Sequence, residues 1–243
     1  MRNYNQELKD RVEFIQKLLK DSNSKGIVYG NSGGKDSALT GILCKKACEN
    51  TVGLIMPCGS KRNYIQDKED GMEVADKFGI ETHIVDLTPL KDKAIETFSP
   101  VFDLTMMSSA NINPRLRMIA LYAYAQTNAC LVAGTDNKSE MHMGYFTKWG
   151  DGGYDFNPIG DLTVTEVYEF LRFLEAPSAV IEKAPSAALF EGQTDEDEMG
   201  ITYAKIDNYI TNGIATDEDK AIIDGFHERS EHKRHLPISY EDK

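Results

Sequence analysis

The chain has no long hydrophobic run, few cysteines and a deficit of positive charge. No stretch approaches the roughly eighteen apolar residues that a membrane-crossing helix needs, so no span and no membrane partner are expected. The opening MRNYNQELKDRVEFIQKLL lacks the apolar centre of a secretion signal, and the expected location is cytoplasmic. The four cysteines, Cys44, Cys48, Cys58 and Cys130, form no C-x-x-C pair. They read as small buried hydrophobes in a reducing compartment rather than as metal ligands or disulfides. Lys and Arg number 27 against 39 Asp and Glu, a formal charge of −12. Nucleic-acid binders normally show a basic balance, so no nucleic-acid partner is expected. The acidity fits an enzyme that gathers cations locally around an anionic ligand.

What is present is a strand–helix alternation. Leu8, Val12, Ile15, Leu18 and Leu19 recur at helical spacing, which predicts a helix over Tyr4–Lys20. Short apolar runs predict strands at GIVYG from Gly26, at Thr51–Met56, at Glu81–Leu87 and at ACLVAGT, ending at Thr135. Helices are predicted over Ser37–Cys48, Ile65–Phe78 and Pro114–Thr127. The fold class is therefore α/β, a doubly wound parallel sheet flanked by helices, with a C-terminal helical segment. Ligands of such sheets sit beyond the carboxyl ends of strands, so the loops Gly30–Ser37 and Gly134–Glu140 are candidates for one site. Past Thr147 the texture changes. KWGDGGYDFNPIGD is loop; LTVTEVYEFLRFL opens a helix with a Thr163/Glu166 capping box; EKAPSAALFEGQTDEDEMG suits a solvated loop or a lid over substrate. Helices over Tyr203–Ile210 and Thr216–Glu228 follow, then a polar tail. Residues 1–243 read as a single domain.

The loop GNSGGKDS carries the chemistry. It is not a P-loop, because Tyr29 stands where the first glycine belongs and Asp36 where Ser or Thr should follow the lysine. It is not a dinucleotide fingerprint, because no G-x-G-x-x-G occurs. Ser32, Gly33 and Gly34 leave backbone N–H groups unobstructed, the next helix presents its positive end, and Ser32 and Ser37 add hydroxyls. That cradle suits pyrophosphate. Asp36 would repel phosphate unless it faces a divalent cation bridging to it. The loop therefore points to a reaction in which metal-bound pyrophosphate leaves and AMP is transferred.

Ser32-Gly33-Gly34-Lys35-Asp36-Ser37 resembles the signature of the N-type ATP pyrophosphatases, which include NAD synthetases, GMP synthetases, argininosuccinate synthetases and tRNA-thiolating enzymes. LVAGTDNKSEMHMGYFTKWGDGGYDFNPIGDLT (Leu131–Thr163) closely resembles the central block of the ammonia-dependent NAD synthetases. So do NINPRLRMIALY (Asn111–Tyr122), KAPSAALFEGQTDEDEMGITY (Lys183–Tyr203) and EHKRHLP (Glu231–Pro237), in the family's order along nearly the whole chain. The resemblance implies an adenine nucleotide alpha-hydrolase-like fold and a ligase that forms a carbon–nitrogen bond. ATP would adenylate the nicotinate carboxylate of deamido-NAD, ammonia would displace AMP, and no glutaminase domain would be present.

By the same resemblance Gly30, Asn31, Ser32, Gly33, Gly34, Lys35, Asp36 and Ser37 would wrap ATP, joined by Thr135 and Ser186. Asp36 and Lys35 would be catalytic. Asp36 and Glu140 would bind Mg2+. Arg115, Lys148, Asp155, His232 and Lys233 match deamido-NAD positions, and the protein would be a homodimer. Other readings stay open: Arg115 and Arg117 suit a solvated helix face, Glu140 the first turn of a short helix, and His232 an ordinary tail. His142 and His227 have no motif around them; Met141 and Met143 read as packing. The sequence also departs from the family pattern. Val164 stands where a lysine commonly contacts ATP, Ala188 replaces an aspartate, and Asn113-Pro114 replaces the usual Lys-Ala before Arg115. Lys35 stands where many members carry an uncharged residue, as though supplying the charge missing at Val164. The S-G-G-K-D-S spelling is also typical of tRNA-thiolating enzymes. Those usually carry a catalytic cysteine pair and bind a basic-patch ligand, whereas this chain lacks C-x-x-C and is acidic. A non-catalytic nucleotide-binding module is the other rival.

Overall fold

The computed structural model describes residues 2–59, 61–183 and 194–240, with the backbone course alone at 61–64. Four short strands, β1 (Gly26–Gly30), β2 (Thr51–Ile55), β3 (Glu81–Ile84) and β4 (Cys130–Ala133), form one parallel sheet in the order β3-β2-β1-β4. Val28 of β1 lies opposite Val52 of β2 and Val132 of β4. The chain winds outward from β1 through β2 to β3, then returns to place β4 on the other side of β1. The order reverses between β1 and β4, and a cleft opens at their carboxyl ends.

Helices cover both faces, as the alternation of β1 requires. Ile27 and Tyr29 pack with α1 (Tyr4–Ser22), α2 (Lys35–Ala47) and α3 (Lys61–Phe78), through Ile15, Leu39, Ile42, Leu43 and Val74. Val28, Val52, Leu54 and Val132 face the other way, toward Leu121 and Ala125 of a long helix. Before that helix come α4 (Thr88–Phe98) and α5 (Met106–Ala110); the helix itself is α6 (Ile112–Asn128). After β4 the chain forms α7 (Lys138–Met143), α8 (Val164–Phe173), α9 (Ser178–Glu182), α10 (Asp195–Met199), α11 (Tyr203–Asn212), α12 (Asp217–Arg229) and a 3-10 turn at Glu231–Lys233. Phe170 and Leu171 of α8 complete the first core. A third cluster, of Met143, Val164, Tyr203, Ile206 and Ile223, joins α7, α8, α11 and α12.

All four predicted strands form, and the long predicted helices lie within a few residues of their expected bounds. The third strand ends at Ile84 rather than Leu87, yet its ladder continues as single bonds from Val85 N to Ile55 O (2.9 Å) and Leu87 N to Pro57 O (2.8 Å). The Thr163/Glu166 capping box is present. The four cysteines are free thiols, and all but Cys48 are buried. No described helix is long and apolar enough to cross a membrane.

Candidate active site

The glycine loop spans the turn from β1 to α2. Gly33 has φ of +70°, and a side chain there would collide with the Asp67 carbonyl of α3, so only glycine fits. Gly34 is the N-cap of α2 and has no side-chain capping bond, which leaves that helix end available to an anion. The loop is braced by its own side chains. Ser37 Oγ donates to Gly34 O (3.0 Å), Ser32 and Ser37 hydroxyls lie 3.1 Å apart, and the amides of Ser32, Gly33 and Gly34 each make a long 3.3 Å bond to a neighbouring side-chain oxygen. The amides expected to be unobstructed thus have weak internal partners that a phosphate would replace. Lys183 ties the loop to α3, donating to Asp67 (2.7 Å), Asp70 (2.6 Å) and the Gly33 carbonyl (3.3 Å).

The neighbouring loop from β4 brings in Glu140. Asn137 is the N-cap of α7 and Glu140 its third residue, in a reciprocal capping box. Glu140 is thus the first-turn acid of a short helix, and it also faces the glycine loop. Its Oε2 accepts from Asn137 N (3.3 Å), while its Oε1 lies 3.6 Å from the Lys35 ammonium. Asp36 is arranged the same way, with Oδ1 accepting from Asn137 Nδ2 (3.0 Å) and Oδ2 from Lys35 (2.7 Å). The fully buried Asn137 thus fixes one oxygen of each carboxylate and leaves the other turned toward a shared cation. Burial, and then Asp36, push Glu140 up to about 8, although Lys35 opposes them. Burial pulls the Lys35 ammonium down, but Asp36 and Glu140 outweigh it and hold it above the ordinary lysine range. Two carboxylates converging on one buried cation suit a hard divalent ion that keeps several waters, so the residues fit Mg2+. No group of three metal-ligating side chains occurs among the described residues.

A cavity of about 1300 Å³ opens from this point. It exceeds the roughly 300–1000 Å³ of a typical small-ligand pocket and has room for two nucleotides. Thr135, Glu140 and all of Gly30–Ser37 except Gly33 line it, as do Arg115, Lys148, His232 and Lys233. Nine Lys and Arg side chains line it against seven Asp and Glu, a reversal of the chain's overall charge. Arg115 Nη2 donates to Lys148 O (3.2 Å), and Lys148 Nζ donates to His232 O (2.7 Å). Lys233 Nζ donates to the carbonyls of Gly144 (2.7 Å) and Phe146 (2.8 Å), and burial lowers its ammonium below the usual range.

One candidate falls elsewhere. Asp155 is not among the lining residues. Its carboxylate accepts from Val132 N (2.8 Å) and the Tyr122 hydroxyl (3.0 Å), closing the open edge of β4. Ser186 and Ala188 lie outside the described residues. Val164 does not line the cavity either; it is buried in the third cluster beside Tyr203, whose ring lies 5.7 Å from the Lys35 ammonium. Other lining residues were not named as ligands from the sequence. Arg117 donates to the Met56 carbonyl beyond β2 (3.1 Å), and burial lowers its guanidinium. Asp136 has a buried Oδ2 without a described partner, and burial, Asp151, Glu140 and Asp36 raise its carboxyl well above the ordinary range. Burial also raises Asp151, against the Thr147 amide it accepts from (2.9 Å). Asn137, which is buried behind the cavity wall rather than lining it, had a legible signal, the N-x-x-E spacing of a capping box.

The sequence profile described as NAD synthase matches residues 7–237. The chain is 41% identical to the NH(3)-dependent NAD(+) synthetase of Carboxydothermus hydrogenoformans, over 97% of each protein. Its structure superposes on NMN synthetase from Francisella tularensis with a TM-score of 0.94 and 34% identity, covering all of both chains. On the NH3-dependent NAD synthetase from Campylobacter jejuni, solved with nitrate, the TM-score is 0.81 with 30% identity, over 99% of this chain and 100% of that one. These likenesses agree with an adenine nucleotide alpha-hydrolase-like fold and leave the tRNA-thiolating reading without support. The chain belongs to the NAD synthase family.

Proposed function

We propose that the protein is an ammonia-dependent NAD synthetase, which uses ATP to amidate the nicotinate carboxylate of deamido-NAD and releases AMP and pyrophosphate. The observation that carries this reading is the convergence of Lys35, Asp36 and Glu140 on the sheet's switch point, at the head of a cation-rich cavity in an acidic chain. A carboxylate is a poor electrophile, and transfer of AMP to it supplies a leaving group. The glycine loop and the positive end of α2 hold the phosphates of ATP, with Thr135 beside them; the family resemblance assigns Ser186 to the same ligand. Asp36 and Glu140 would hold Mg2+, which neutralises charge on the departing pyrophosphate. Arg115, Lys148, His232 and Lys233 bind the second substrate, and Arg117, less exposed than Arg115, lines the same cavity. Catalysis is then largely positioning and charge stabilisation. Ammonium must lose a proton before it attacks; Asp136, with its unpartnered Oδ2, and Asp151 are buried carboxyls suited to receive one.

Residues 1–243 act as one domain on free ammonia. The protein works as a homodimer; the apolar side chains exposed between α4 and α6, Phe98, Val101, Phe102, Met106 and Ile119, suit burial against a second copy. Asp155, bonded to Tyr122 one turn from Ile119, lies on that side and would meet substrate only there. The test is product identity. NAD, AMP and pyrophosphate should form only when ATP, deamido-NAD and ammonium are all present, and EDTA should stop the reaction. Formation of ADP, or hydrolysis of ATP without the other substrates, would reject the reading.

A second reading concerns the length of the acceptor. The TM-score of 0.94 to a protein described as an NMN synthetase, against 0.81 to an NAD synthetase, makes a mononucleotide acceptor worth testing. Assaying nicotinate mononucleotide beside deamido-NAD decides it, through the ratio of the two kcat/KM values.

A further inference from the structure

The Lys35 ammonium occupies the place between the two carboxylates to which the metal is assigned. It lies 2.7 Å from Asp36 Oδ2 and 3.6 Å from Glu140 Oε1, on a side chain only 7% exposed. The opposite oxygens of both carboxylates are held by Asn137, so neither acid can turn away from the ammonium without breaking a bond. The Tyr203 ring closes one side, 5.7 Å from the ammonium. With both acids ionised, two carboxylates and one ammonium give this cluster one net negative charge, and none with Glu140 protonated. A divalent ion entering beside the ammonium would make the cluster positive in either case and face a like charge at contact range, where low dielectric leaves repulsion strong.

We propose that Lys35 is a tethered counter-ion that keeps bare divalent ions out of the site, and that it yields its place only when the metal arrives with nucleotide phosphates able to accept the ammonium. Lys35 is then a positioning and selectivity residue that couples metal binding to ATP binding. This rests on Asp36 and Glu140 being the metal carboxylates. It also gives Lys35 a task apart from replacing the charge absent at Val164, which lies in the apolar cluster behind Tyr203.

The experiment measures Mn2+ binding by electron paramagnetic resonance in the absence of nucleotide. Lys35→Met should bind Mn2+ at least tenfold more tightly than the native protein, and Lys35→Arg should bind it as weakly as the native protein. Adding Glu140→Gln to Lys35→Met should remove the gain. Thermal unfolding of the native protein gives a second readout that needs no variant to fold. MnCl2 alone should leave its midpoint unchanged, and MnCl2 with α,β-methylene-ATP should raise it above the nucleotide alone. Equal Mn2+ affinity in the native protein and Lys35→Met, or a midpoint raised by MnCl2 alone, overturns the proposal. Failure of the amidation reading would show instead in the product assay.

Discussion

Replacing Asn137 tests the geometry on which the site depends. Asn137→Ala removes the N-cap of α7, the amide bond to Asp36 Oδ1 and the volume of a fully buried side chain. Loss of an N-cap costs about 1 kcal/mol. Loss of a hydrogen bond to a charged, buried acceptor costs roughly 1.5–3 kcal/mol. Together these predict a destabilisation of about 2.5–4 kcal/mol. For a protein of this size each kcal/mol moves the melting temperature by roughly 2–4 °C, so the midpoint should fall by about 5–15 °C. Asn137→Ser keeps a capping hydroxyl but cannot reach Asp36, and should recover about the 1 kcal/mol of the cap alone. Both variants should lose turnover more than ATP affinity, because the glycine loop is intact while Asp36 is no longer held; the backbone bond from residue 137 to Glu140 remains. The assays are urea unfolding and steady-state kinetics. An Asn137→Ala protein within about 0.5 kcal/mol of the native one, or with native kcat, would refute the claim that this side chain positions Asp36.

Other residues make separate predictions. Arg117→Gln should lower kcat/KM for the nicotinate substrate at least tenfold, because a cation lining the cavity is removed; unchanged kinetics would make Arg117 merely a prop for the Met56 carbonyl. His142 is held down to about 4 by burial, His227 and Arg234, against an ordinary value of 6.5. The unfolded chain takes up this proton first as pH falls, so stability is lost between about pH 6.5 and 4 and is unaffected by this group above that window. His142→Phe keeps a ring to stack on His227, 4.3 Å away, and should flatten that part of the stability–pH curve in urea melts. The buried Tyr29 hydroxyl has no described partner, so Tyr29→Phe should leave stability unchanged or raise it by up to about 1 kcal/mol in the same melts.

Periodicity revealed the elements whose burial is repetitive. β1, α1 and α8 bury side chains at strand or helix spacing, and the reading from sequence located each of them. It passed over α4, which buries no residue, and α7 and α10, which are six and five residues long and rest on capping boxes more than on an apolar face. The glycine loop was legible because its residue types are dictated locally; Gly33, pressed against Asp67 O, is the clearest case. The partners of Lys35 were not legible. They depend on β4 returning beside β1, which brings Glu140 and Asn137 across more than a hundred residues of chain. Asp155 shows the same limit in reverse. Its sequence context matches a ligand position, while its carboxylate accepts from Val132 N on the edge of β4, a bond no local pattern announces.

The central claim is that AMP is transferred to a carboxylate oxygen before nitrogen arrives. Deamido-NAD labelled with 18O at both carboxylate oxygens, turned over with ATP and ammonium, tests this by mass spectrometry of the products. The account predicts one labelled oxygen in the phosphate of AMP and one retained in the carboxamide of NAD. Unlabelled AMP, or label recovered in inorganic phosphate alongside ADP, would contradict it.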